Sequence, residues 1–293
     1  MIATPLDLSR AFLPEALAGL SSVRLAEVDR RAMNQIRAAS YLHVFDLLET
    51  ALADGARLHA MRDIDERDML APLLRLDTFD HSALFHGFEE TFEAIFPVKP
   101  KLLARPADLA EIVSDAVPLS LLILALHLKL VTQQHYLACV RGDESLEPSF
   151  VKVLKEHWTM ECGRPSGENP PGSTSRGAAG GRPSGAHAIQ QALYAALPGR
   201  IPAALRDYRR IVFTCDDVLC RQSELDVATL EAVRGAPLSP PDRESVLAAQ
   251  VAAHRKTFIT YGIVNAAFVY AIAGLGPSAP AVLAGMVSAI ASR

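Results

Sequence analysis

The sequence predicts an all-α protein. Helix-forming residues with 3.6-residue periodicity run through nearly the whole chain, no stretch shows the period-2 alternation of a strand, and the Gly and Pro residues cluster at intervals that read as helix ends. The predicted architecture is five or six principal helices forming a helical bundle with additional C-terminal helices, in a single domain over residues 1–293. Ser21 or Ser22 is the candidate cap of a first long helix over about 22–53, which is rich in Leu, Ala, Arg and Glu and lacks Gly and Pro. A second helical stretch over about 65–96 contains Pro72, which predicts a kink or a start within it, and Pro97-Val98-Lys99-Pro100 ends it.

A short helix is predicted at about 107–115, then an apolar, buried helix over 118–141. An acidic turn over 142–147 leads to a helix from Pro148 to Cys162. Beyond it, helices are predicted over 186–196, about 202–234 with Gly235 as its stop, and about 240–261 opened by Ser239-Pro240-Pro241-Asp242. Gly274, Gly276, Pro277 and Pro280 divide the apolar tail after Ile263 into two packed helical pieces.

Residues 163–185 break this pattern. They hold 7 of the chain's 17 glycines and 4 of its 19 prolines, a composition that neither sustains a helix nor requires packing. Gly163-Arg164-Pro165-Ser166-Gly167 recurs as Gly181-Arg182-Pro183-Ser184-Gly185. A direct repeat flanking such a tract points to a flexible insertion that interrupts a bundle helix. With 163–185 removed, Glu161-Cys162 joins Ala186-His187, and the junction reads Glu-x-x-His, a spacing that puts a carboxylate and an imidazole on one helix face.

Composition excludes several classes. The net charge of −4 leaves no basic surface for nucleic acid. Cys139, Cys162, Cys215 and Cys220 form no Cys-x-x-Cys pair, which argues against a zinc ribbon or a redox dithiol. The apolar run 117–128 is interrupted by His127 and Lys129 before reaching the roughly 20 residues of a membrane span. The N-terminus has no basic region followed by an apolar core. The expected location is therefore cytoplasmic, with no membrane partner. Phosphate loops, nucleophile elbows and His-Glu-x-x-His are absent.

What remains is a spaced set of carboxylates and imidazoles. Glu49 lies on the first long helix, with Glu27 and His43 as competitors. Asp77 and His81 are four apart on the second helix, with His86 and Glu89 further on. His157 and Glu161 are four apart on a later helix, and His187 follows if the helix rejoins. His135 is an additional candidate, read first as a hydrogen-bonded core histidine. His59 and His254 read as surface residues.

In this order and spacing the chain resembles the ferritin-like di-iron oxygenases of the p-aminobenzoate N-oxygenase type, over roughly residues 22–195. The resemblance implies a ferritin-like bundle. It implies metal held by Glu49, Asp77, His81, His157, Glu161 and His187, with two iron ions in the family, one or none in this chain, and manganese as the alternative. The implied reaction is dioxygen-dependent oxidation of a small organic substrate, such as N-oxygenation of an aryl amine. Its partners are that substrate and an external electron donor, and a homodimer is compatible with it. The departures are specific: Thr78 stands where the family has a metal-binding glutamate, and Lys129 stands about where the third-helix glutamate belongs. They imply an impaired copy of the ancestral enzyme. The competing expectation is a non-catalytic bundle with a structural or partner-binding role, in which Lys129 pairs with Glu49, Asp77 or Glu161.

Overall fold

The computed structural model describes residues 6–74, 78–161 and 200–275, with the backbone alone at 78–80, 161, 270 and 272–275. The described residues form an all-α bundle: α1 (Glu15–Ala18), α2 (Glu27–Arg62), α3 (Ile64–Leu74), α4 (Thr78–Ile95), α5 (Ala107–Asp115), α6 (Pro118–Gln134), α7 (Pro148–Glu161), α8 (Ile201–Arg234), α9 (Pro240–His254) and α10 (Thr260–Leu275). Two π-helical segments extend α6 and join α9 to α10: His135–Val140 and Arg255–Ile259. Among the described residues β structure is confined to an isolated bridge between Ala11 and Leu146.

Helix α2 is the axis of the bundle, packing against α3, α4, α5, α6 and α8. Its middle is buried on every face, from Met33 to Ser40 without interruption, as a helix surrounded by others must be. The polar residues in that stretch are satisfied. Asn34 accepts from the backbone of Phe12 (2.7 Å) and Leu13 (3.0 Å) and donates to the Leu13 carbonyl (2.6 Å). Gln35 donates to the carbonyls of Leu8 and Arg10. These bonds hold the chain before α1 against α2. Buried Arg37 pairs with Asp226 of α8 at 3.1 Å, and Ser40 (2.8 Å) and Gln222 (2.8 Å) complete the acceptor capacity of that carboxylate.

Several boundaries differ from expectation. Helix α2 begins at Glu27 with Ala26 as its cap position, not at Ser21 or Ser22. Arg30 donates to the carbonyls of Leu20 (2.7 Å) and Val23 (2.6 Å), which holds 20–26 as a non-helical approach to the helix. At the other end α2 continues through Gly55 to Arg62. A β-carbon on Gly55 would stand 2.4 Å from a Val113 methyl, so the glycine is what lets α5 approach. The stretch expected over 65–96 is two helices, with Pro72 inside α3. The α9 helix passes through the π-helical segment into α10 instead of stopping near 261.

Other expectations hold closely. Pro118 opens α6, Gly235 ends α8 at φ 67°, and Ser239 caps α9 by accepting from the Asp242 amide. The proposed insertion 163–185, the helix expected over 186–196, and the second helical piece of the tail lie outside the described residues. No described helix is long and apolar enough to cross a membrane.

Candidate metal centre

Helix α4 packs against both α2 and α7. That arrangement brings Glu49 of α2, His81 of α4 and His157 of α7 to one buried point. Burial of α7 is prepared locally: Glu147 accepts from the Phe150 amide at 2.6 Å, capping the first turn, and Phe150 stacks on Phe12 at 5.8 Å. Eleven residues along from Phe12's partner Phe92, on the same helix, sits His81. The helix that anchors the aromatic core thus also aims this imidazole.

His81 Nδ1 donates to Glu49 Oε2 at 2.8 Å, and His157 Nε2 donates to Glu49 Oε1 at 3.2 Å. The two imidazole rings meet edge to face, centroids 4.8 Å apart. Phe85 (4.8 Å) and Phe45 (5.9 Å) flank the His157 ring. Burial pushes the Glu49 carboxyl up, but hydrogen bonds and charge from His157 and His81 outweigh it and hold the group far below the usual carboxylate range. The carboxylate is thus fixed as an anion between two nitrogen donors.

This group could hold a metal ion. Separations of 2.8 and 3.2 Å between neighbouring donor atoms match the edge of about 3 Å of an octahedron with bonds near 2.1 Å. Two imidazoles and one carboxylate, each on a different helix, form the donor set that suits non-haem iron with coordination positions left open.

The remaining sequence candidates fall elsewhere. Asp77 and His187 lie outside the described residues, and Glu161 is placed by backbone alone at the end of α7. His135 is away from the centre: its Nδ1 is hydrogen-bonded to the Tyr41 hydroxyl at 2.6 Å. His127 donates to the Phe258 carbonyl (2.8 Å) and accepts from Tyr208 (3.0 Å), a core role that leaves neither nitrogen for metal. His43 pairs with Glu89 (3.1 Å) and the Leu103 carbonyl (2.8 Å), Ser82 donates to Asp46, and Glu27 is exposed. Lys129 is buried on α6 and engaged. Among the described residues Glu49 is paired with the two histidines and not with Lys129.

A second buried group was not anticipated. Asp216 and Cys220 of α8 meet His254 at the end of α9. His254 is 7 % exposed, which corrects the expectation of a surface residue, and His59 is likewise buried, with Glu66 at 3.1 Å. Burial pushes the Asp216 carboxyl up, but Arg255, hydrogen-bonded to both its oxygens, and His254 hold it below the usual range. The i,i+4 spacing of Asp216 and Cys220 was visible in the sequence. The third member, 34 residues beyond Cys220, had no spacing rule to reveal it.

A cavity of about 40 Å³ reaches His254 of the second group and is lined among others by Tyr41, Phe45 and His135. It has room for about three waters. Among the described residues neither His135 Nε2 nor His254 Nδ1, both buried, has a protein partner. Comparison with protein-family models, with characterised proteins and with solved structures gives no match.

Proposed function

We propose that Glu49, His81 and His157 bind one redox-active divalent metal ion, iron first and manganese second, and that the protein descends from ferritin-like metal-dependent oxygenases. The observation that supports this most is the convergence of a carboxylate and two imidazoles from three helices at donor separations of 2.8 and 3.2 Å. Bound iron at such a donor set supplies dioxygen activation. The chain's own residues hold the donors, fix the carboxylate as an anion and exclude bulk water through Phe45 and Phe85.

The substrate class is a small organic molecule, with electrons from an external donor. Phe45 supports this reading, because it packs on His157 and also lines the cavity. Centre and cavity therefore share one wall. The donor set is nevertheless sparse beside the six carboxylates and imidazoles that the resemblance implies, with Thr78 and Lys129 at two of the family's glutamate positions. Oxygenase turnover is accordingly expected to be weak.

A second reading has its own support: the Glu49 carboxylate already accepts from both imidazoles. Such a network is complete without metal and would serve a purely structural bundle. Anaerobic Fe(II) titration separates the two. The metal reading expects about one equivalent bound by the wild type and more than about 100-fold weaker binding by His157→Ala and Glu49→Gln, since losing a ligand costs more than losing an outer partner. Unchanged binding in both variants, or none in the wild type, rules it out.

A further inference from the structure

We propose that Asp216, Cys220 and His254 form a second metal site, distinct from the first in chemistry, that takes zinc or a similarly thiophilic divalent ion. Residues four apart on a helix share a face, so Asp216 and Cys220 point the same way, toward the end of α9. There His254 Nε2 lies 3.0 Å from Asp216 Oδ1 and 3.9 Å from Cys220 Sγ. A tetrahedral zinc with bonds of about 2.0–2.3 Å has N···O and N···S edges of about 3.3–3.6 Å. The donor atoms thus stand within a few tenths of an ångström of that tetrahedron.

The pattern of contacts separates this group from a nucleophile. In a Cys–His–Asp catalytic arrangement the acid and the thiol use opposite nitrogens of the imidazole. Here both face Nε2, and among the described residues Nδ1 has no protein partner. Three donors converging on a single point describe a ligand set better than a relay.

Surrounding groups complete it. Arg255 Nη2 donates to Asp216 Oδ2 at 2.7 Å, and its Nε also reaches both oxygens. Oδ1 can therefore take the metal while Oδ2 keeps the guanidinium, the outer-shell support that carboxylate ligands use. With Nε2 bound to metal, the ring proton sits on Nδ1. His254 lines the 40 Å³ cavity, where a water can accept a hydrogen bond from that Nδ1–H. The segment that follows, Arg255–Ile259, is π-helical, a local widening that accompanies functional sites in helices. Binding replaces the Cys220 S–H bond by a sulfur–metal bond and releases the proton to solvent. Three protein ligands leave the fourth position to water.

Thiolate makes the test specific, because Glu49, His81 and His157 contain no sulfur. Co(II) is added to metal-free full-length protein under reducing conditions. The expected spectrum has intense d–d bands of tetrahedral cobalt and a near-ultraviolet thiolate-to-cobalt charge-transfer band, both removed by one equivalent of Zn(II). The charge-transfer band should persist in Glu49→Gln, Cys139→Ser and Cys162→Ser and vanish in Cys220→Ser. Zinc affinity should fall more than about 100-fold in Cys220→Ser and in His254→Gln. A wild-type protein without the charge-transfer band, or a band that survives Cys220→Ser, overturns the proposal. Loss of iron binding at Glu49 would leave these outcomes unchanged.

Discussion

The two buried clusters solve the same electrostatic problem in opposite ways. Each buries a carboxylate against an imidazole. Glu49 is hydrogen-bonded from inside the bundle by His81 and His157, which are themselves buried. Asp216 is hydrogen-bonded by buried His254 and neutralised by Arg255, whose side chain is about half exposed. The first cluster is built wholly of hard and borderline nitrogen and oxygen donors held by three helices. The second adds sulfur and can exchange its cationic partner with solvent. The difference teaches that burial of an acid does not by itself define a site's chemistry. What surrounds the acid decides which ion it suits and how much its loss disturbs the fold.

The largest expected effects are on metal selectivity. His157→Ala should abolish Fe(II) binding and leave thiolate–cobalt absorption intact, while Cys220→Ser should do the reverse, each by more than about 100-fold in affinity. Cross-effects of similar size, read in paired titrations, would break the division into two sites.

Next come effects on stability. Removing one partner of a buried ion pair costs about 3–5 kcal/mol. Arg37→Ala, which strands Asp226 in the core, should show that loss in urea denaturation. Arg255→Ala should cost only about 1 kcal/mol, since its side chain is half exposed and water can replace it. Equal losses in the two variants would contradict the contrast between enclosed and open neutralisation.

A smaller, graded effect should appear with pH. Burial lowers His127 and His135 to about 4. Their unfolded counterparts titrate near 6.5. Between those values the unfolded chain binds more protons than the folded one, so stability falls as pH drops from about 6.5 to 4. Denaturation midpoints measured across this range should decline, and the decline should flatten in His127→Gln combined with His135→Gln. The smallest effect belongs to Tyr41→Phe, which removes the hydroxyl from His135 Nδ1 and should cost about 1 kcal/mol.

The helical class and most helix positions could be read from the sequence because Pro118, Gly235 and Ser239 mark termini by local chemistry alone. The start of α2 could not. Serine is the better cap by propensity, but Arg30 holds 20–26 in place through carbonyls that only the folded chain brings near. The π-helical segments carry no propensity signal and arise from packing. Glu49, His81 and His157 were singled out by their order and spacing over competitors such as Glu27 and His43, but spacing alone could not show that the three side chains meet at one point. His254 was read as a surface residue, and its burial is decided by α8, far away in the chain.

The central claim is that Glu49, His81 and His157 share one metal ion. Crystals of iron-loaded protein, with anomalous scattering recorded on both sides of the iron edge, test it most directly. The account predicts an iron peak within bonding distance of the Glu49 carboxylate, His81 Nδ1 and His157 Nε2. A well-ordered site in which Glu49 still accepts from both imidazoles, with no iron peak between them, would contradict it.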